Sequence, residues 1–190
     1  MPEQTEKTDE EIAVQVQKGD AAAFGILMQR YEAKLSRYAR KFLVTGEDTK
    51  DLLQDIFIKA YVNLRGFDAD RRFSPWIYRI AHNEFVNAIK KRSGKVTFSL
   101  SDFDTILPHP VAKEDIESDA LRRELRALLE RGLATLDPKY REPLVLYYFE
   151  DMDYRAIAEV LHLPVSTVGI RLQRGKRMMR KAVEGSKQER

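Results

Sequence analysis

Apolar residues recur along this chain at steps of three and four, the period of an α-helix with one buried face. Thr8 followed by Glu11 has the form of a capping box, with Ile12 and Val16 on one face behind it. Gly19-Asp20 ends that helix and can cap the next. A second helix is predicted through Phe24, Leu27, Met28, Tyr31, Leu35, Tyr38 and Phe42, stopped by Gly46. A third carries Leu52, Leu53, Ile56, Phe57, Ala60, Tyr61 and Leu64. From Arg65 to Phe73 the period breaks, and Gly66, Asp68, Asp70, Arg71 and Arg72 mark a loop. Ser74 as cap and Pro75 in the first turn predict the start of a fourth helix, with Trp76, Ile77, Ile80, Ala81, Phe85 and Ile89 on its apolar face. Lys90, Lys91 and Arg92 close it favourably for the helix dipole. Residues 94–119, with Pro108, Pro110 and scattered apolar positions, read as a linker. The helical step resumes at Leu121, Leu125, Leu128, Leu129, Leu133 and Leu136. Asp137-Pro138 then opens a helix in which Pro143 predicts a kink or a later start. Asp153 caps a short helix from Tyr154 to Leu161, and a last helix follows Pro164 to about Val183. No strand pattern and no internal repeat stands out. The expected fold is all-α: two small helical domains, 1–93 and 120–190, joined by an acidic linker over 94–119.

Charge sharpens that division. The net charge of the 190 residues is +3. Residues 1–92 hold 16 basic and 14 acidic residues, residues 93–119 hold 2 and 6, and residues 120–190 hold 15 and 10. Two basic modules therefore flank an acidic strap. The sequence has no cysteine, which excludes disulfides, thiolate zinc sites, iron–sulfur clusters and cysteine nucleophiles. His82, His109 and His162 are too scattered for a metal cage. No nucleophile–base pair, metal set or glycine-rich phosphate loop stands out, so an enzyme is the least expected class. No apolar run reaches the ~18–20 residues of a membrane span, and the first residues are polar and acidic. A cytoplasmic protein without membrane insertion is expected.

Tyr154 to Lys181 has the form of a helix-turn-helix, a unit that sets its second helix in the DNA major groove. From Val165 to Lys181 that helix carries Arg171, Arg174, Lys176, Arg177, Arg180 and Lys181 and no acid. The planar fork of arginine suits guanine edges and phosphates. Ser166 and Thr167, at the helix N-terminus, can donate to phosphate or touch a base.

Three segments resemble the sigma-70 family of bacterial transcription factors. Asp51-Leu52-Leu53-Gln54-Asp55-Ile56-Phe57-Ile58-Lys59-Ala60-Tyr61 resembles its second conserved region. Phe73-Ser74-Pro75-Trp76-Ile77-Tyr78-Arg79-Ile80-Ala81-His82-Asn83 resembles the segment after it. Tyr154-Arg155-Ala156-Ile157-Ala158-Glu159 with Pro164-Val165-Ser166-Thr167-Val168 resembles the fourth region. Two such regions and a short linker are similar to the extracytoplasmic-function (ECF) sigma factors. The resemblance implies a non-catalytic factor without a cofactor that binds core RNA polymerase and directs it to promoters. It implies docking of Asp51, Leu52, Gln54, Asp55 and Ile58 on the clamp helices of the largest polymerase subunit, and of the second domain on the flap of the second-largest. It implies minus-ten capture by Phe67, Arg71, Arg72, Phe73, Arg79 and Asn83, where aromatic faces stack unpaired bases and cations hold the strand. It implies minus-thirty-five reading by Arg155, Ser166, Thr167, Arg171, Arg174 and Arg177. An anti-sigma factor is the further partner it implies. Asp102, Asp104, Glu114, Asp115, Glu117 and Asp119 in the linker could imitate nucleic-acid charge or serve as a plain tether. Trp76, Ile77 and Phe57 are expected in the core.

Two departures stand out. Gly169 and Ile170 occupy positions where the family usually has a polar or basic residue and then a small polar one, and neither can hydrogen-bond a base edge. His162 stands where the turn commonly has glycine, and is expected as a turn residue at positive φ. Rival readings are a helix-turn-helix regulator that works without polymerase, which leaves the Asp51–Tyr61 stripe unexplained, and a sigma-like decoy that binds an anti-sigma factor but no DNA.

Overall fold

The computed structural model describes residues 7–42, 46–92, 129–130 and 132–188. The acidic linker, with Asp102, Asp104, Glu114, Asp115, Glu117 and Asp119, lies outside them, as do Leu121, Leu125 and Leu128. Among the described residues every regular element is helical. The chain divides into two compact units, the first built largely on residues up to Gly94 and the second largely on those after it. The first unit contains α1 (Asp9–Gln17), α2 (Phe24–Phe42), α3 (Gly46–Asn63) and α4 (Phe73–Arg92), with 3-10 turns at Ala21–Ala23 and Leu64–Gly66. The later helices are α5 (Pro138–Tyr148), α6 (Tyr154–Leu161) and α7 (Val165–Gln188).

Most helix starts follow from their own residues. The Thr8 hydroxyl accepts from the Glu11 N–H at 3.2 Å, and the Glu11 carboxylate accepts from the Thr8 N–H at 2.9 Å. Asp137 accepts from the Lys139 N–H at 2.8 Å, with Pro138 in the first turn. Asp153 accepts from the Ala156 N–H at 2.8 Å. Each such cap stabilises its helix by ~1 kcal/mol. Three starts differ from the expectation. Gly46 does not merely stop α2; it is the first residue of α3. Pro143 neither delays nor ends α5, which runs through it from Pro138. α4 begins at Phe73, one residue before the expected Ser74 cap, because a carboxylate from elsewhere caps it: Glu10 of α1 accepts from the Phe73 N–H at 2.8 Å.

The core of the first unit is aromatic. Tyr31, Tyr38, Phe73 and Tyr78 are fully buried, with Leu27, Leu35, Ile56 and Ile77 around them. Their rings meet edge-on, at 5.4 Å for Tyr31–Phe73 and 5.2 Å for Tyr38–Tyr78. Such pairs are worth about 0.5–1.5 kcal/mol each beyond the area they bury. The Tyr31 hydroxyl donates to Asp9 at 2.6 Å, and Arg30 donates to the other oxygen of that carboxylate at 2.6 Å. Burial, and then this acidic partner, hold the Tyr31 phenol well above the usual tyrosine range.

In the second unit Leu133, Leu136, Leu144, Val145, Leu146, Ile157, Val168 and Leu172 are buried. Arg141 of α5 donates to the carbonyls of Ala134 and Leu136 at 2.8 and 2.7 Å, tying the preceding turn to the helix. Its burial pulls the guanidinium below its ordinary value. α5 packs on α7 where Gly175 removes the side chain. A β-carbon there would lie 2.9 Å from Leu144 Cδ1 and 3.2 Å from the Tyr140 carbonyl oxygen.

Candidate nucleic-acid interface

The loop between α3 and α4 is built from both ends. The Leu64 carbonyl accepts from the Phe67 N–H at 3.0 Å. The Asp68 carboxylate then accepts from the Asp70 N–H at 3.1 Å, and its carbonyl from the Arg71 N–H at 3.0 Å, which folds 68–71 into a tight turn. Gln17, at the end of α1, donates through Nε2 to the carbonyls of Leu64 at 2.9 Å and Phe67 at 2.7 Å. Glu10, near the start of α1, holds the Phe73 N–H. One short helix thus fixes both ends of the loop, which leaves Arg65, Arg71 and Arg72 exposed. Asn83 of α4 is exposed and Arg79 half-buried.

The expectation that Phe67 and Phe73 offer stacking faces is corrected. Phe67 is 5% exposed and Phe73 fully buried. Their rings lie 5.5 Å apart, and Trp76 stands 5.1 Å from the first and 5.3 Å from the second. Rings so little exposed have no open face left for a base. Trp76 itself is half-buried, and Ile77 and Phe57 are in the core.

On α3, Leu53, Ile56, Phe57 and Ala60 face inward. Asp51, Gln54, Asp55 and Ile58 are exposed on the opposite side, and Leu52 is half-buried at its edge. The same stripe continues to Val62, 68% exposed, with exposed Tyr61 beside it. Val62 was missed by the sequence reading, although it simply continues the step from Asp51, Asp55 and Ile58. The face is acidic and amide-bearing at one end and apolar at the other.

The helix-turn-helix is α6, its turn and α7. His162 adopts φ 53°, as a turn residue must here. On α7, Val168, Leu172 and Gly175 face inward. At 100° per residue the opposite face carries Ser166, Ile170, Gln173, Arg174 and Arg177, all exposed. Arg155 on α6 is exposed as well. Arg171 and Thr167 are half-buried on the flanks of α7, away from the centre of the outward face. Lys176 lies over the rings of Tyr147 and Tyr148 at 5.2 and 5.4 Å. The Tyr148 hydroxyl holds its ammonium above the usual lysine range. Gln173 escaped the sequence reading, which followed charge; its signal was position, three residues after Ile170 and outside the buried ridge.

Among the described residues no group of His, Asp and Glu could hold a metal ion, and no helix is long and apolar enough to cross a membrane. Residues 27–94 match the model of sigma-70 region 2, and residues 126–179 that of sigma-70 region 4. The ECF RNA polymerase sigma factor SigW of Bacillus subtilis is 33% identical over 175 residues, covering 88% of this chain and 92% of that relative. The ECF RNA polymerase sigma-E factor of Escherichia coli K12 is 32% identical over 176 residues, covering 89% and 91%. Among solved structures, CnrH in complex with the cytosolic domain of CnrY matches with TM-score 0.68 and 29% identity, over 94% of this chain and 99% of that one. With both regions in order and relatives of this likeness along most of its length, the chain belongs to the ECF sigma factors of the sigma-70 family.

Proposed function

We propose that this chain is the promoter-specificity factor of core RNA polymerase for one set of genes, working in the cytoplasm. The exposed face of α3, from Asp51 through Gln54, Asp55 and Ile58 to Val62, docks on the clamp helices of the largest polymerase subunit. Its acidic end suits a basic partner and its apolar end supplies buried area. The second unit docks on the flap of the second-largest subunit. The loop held by α1 receives the melted minus-ten strand. With Phe67 and Phe73 in the core, strand capture rests on Arg71, Arg72, Arg79, Asn83 and the half-buried ring of Trp76. α7 enters the major groove at the minus-thirty-five element, with Ser166, Arg174 and Arg177 on its outward face and Thr167, Arg171 and Arg155 toward the flanking backbone.

The observation that carries this reading is the outward face of α7, which is basic, free of acid from Val165 to Lys181, and set opposite the buried ridge of a helix-turn-helix. An anti-sigma factor that covers the docking faces keeps the protein inactive until it is needed. The likeness to CnrH, solved with a protein partner, supports such a ligand. Run-off transcription with purified core polymerase on a pool of genomic fragments tests the proposal. Discrete transcripts that require this chain are expected, and their absence, with polymerase otherwise active, overturns it.

A further inference from the structure

Ile170 stands out on α7. It is a large apolar side chain, 51% exposed, in the middle of a face otherwise made of Ser166, Gln173, Arg174 and Arg177. At 100° per residue its direction lies within about 20° of the point opposite Val168, Leu172 and Gly175. Arg177, two turns later, lies on nearly the same line, so in the first half of α7 it is Ile170 that stands at the centre of the outward face. Arg174 lies to one side of Ile170 and Arg177 beyond it along the helix, where both can meet phosphates, and phosphate contacts position a helix without reading sequence. The centre of the face meets base edges. Ile170 has no hydrogen-bonding atom beyond its backbone, so it cannot discriminate donors from acceptors. One base-pair feature in the major groove is apolar, the 5-methyl group of thymine. Beside it, the Gln173 amide carries the donor–acceptor fork that fits adenine.

We propose that Ile170 is a specificity-determining residue that reads the 5-methyl group of one thymine in the upstream promoter element. The inference rests on the proposed entry of α7 into the major groove. It adds the chemical group that the helix selects. Burying one methyl group is worth about 0.8 kcal/mol, close to a 4-fold change in affinity.

Deoxyuridine provides the test, because it lacks the methyl group and keeps every hydrogen-bonding atom of thymine. Holoenzyme reconstituted from core polymerase and the full chain is bound to a promoter duplex found by the run-off selection. Each thymine of the upstream element is replaced by deoxyuridine in turn. One replacement should weaken binding about 4-fold for the wild type and leave Ile170→Ala nearly unaffected, with Ile170→Val in between. Because Ile170 is exposed, these substitutions leave the buried ridge of α7 intact. If no replacement changes wild-type binding while Arg174→Ala with Arg177→Ala still weakens it, α7 is in the groove and the role of Ile170 is refuted. Equal sensitivity in wild type and Ile170→Ala also refutes it. A holoenzyme that selects no duplex at all overturns the groove reading and this inference together.

Discussion

Gly175→Ala is expected to destabilise the second unit, although alanine is the better helix former by about 1 kcal/mol. Gly175 is buried where α7 crosses α5. The new β-carbon would lie 2.9 Å from Leu144 Cδ1, 3.2 Å from Leu144 Cγ and 3.2 Å from the Tyr140 carbonyl oxygen. Leu144 ends in a rotatable group, but at 3% exposure it has neighbours on every side. The carbonyl belongs to the backbone of α5 and moves only if the helices separate. Overpacking of this kind costs typically 1–3 kcal/mol. Set against the gain in propensity, the net loss is about 0–2 kcal/mol, a factor of up to roughly 30 in local opening. Gly169→Ala, on the same helix, is the control. Its β-carbon would meet the Tyr154 ring at 3.6 and 3.9 Å, ordinary van der Waals distances, so the propensity gain of about 1 kcal/mol should survive. Amide hydrogen exchange along Pro138–Tyr148 and Val165–Gln188 reads both. Exchange should quicken, by up to about 30-fold, in Gly175→Ala and slow in Gly169→Ala. Slower exchange in both variants would mean that α5 and α7 are not held at the spacing described, and the account of their packing would be wrong.

Three further outcomes are expected. Gln17→Ala leaves the half-buried carbonyls of Leu64 and Phe67 without their donor, a loss of about 1–3 kcal/mol; exchange at residues 64–73 should quicken and promoter melting weaken while polymerase binding is kept, and an unchanged loop would refute the anchoring role. Asp51→Lys with Gln54→Lys reverses the charge of the α3 face and should reduce capture by core polymerase at least 10-fold; undiminished capture would remove α3 from the docking surface. Arg171→Ala with Arg174→Ala should weaken promoter binding at ~0.15 M salt and lower the slope of log affinity against log salt by about 0.9 for each phosphate no longer neutralised, and an unaltered slope would show that these side chains do not meet phosphate.

What the sequence made legible is what neighbouring residues decide. Thr8 with Glu11, Asp137 with Lys139 and Asp153 with Ala156 are caps spanning two or three residues, and all form as their pattern requires. The positive φ of His162 follows from its place in the turn. What stayed hidden depends on residues far apart. Glu10 and Phe73 are 63 positions apart, and Gln17 lies 47 and 50 positions from its two carbonyls. Nothing near Phe73 announces that its helix starts ahead of Ser74, because its cap comes from α1. Phe67 and Phe73 were misplaced for a related reason. Aromatic rings in a polar loop suggest stacking platforms, yet Phe73, Ile77 and Ala81 keep a helical step that leads into the core.

The face of α7 also limits how much discrimination this helix can supply. Arg174 and Arg177 add affinity for any duplex when they meet phosphate. In that arrangement sequence is left to Ser166, Ile170 and Gln173, whose side chains are neutral. A bidentate amide on adenine is worth about 1–3 kcal/mol of discrimination, and a thymine methyl group about 0.8 kcal/mol. Even with a hydroxyl hydrogen bond of about 1 kcal/mol the total is near 3–5 kcal/mol. Specific binding of DNA typically exceeds non-specific binding by about 4–10 kcal/mol. With its arginines on phosphate the recognition helix therefore reaches only the lower end of that range. On the proposed function the remainder then comes from the loop that α1 holds, where unpairing a strand makes base identity count in the melting step as well as in binding. For the same reason, loosening the loop through Gln17 should cost promoter selectivity as well as melting, even though Gln17 itself bonds only to the protein's own backbone.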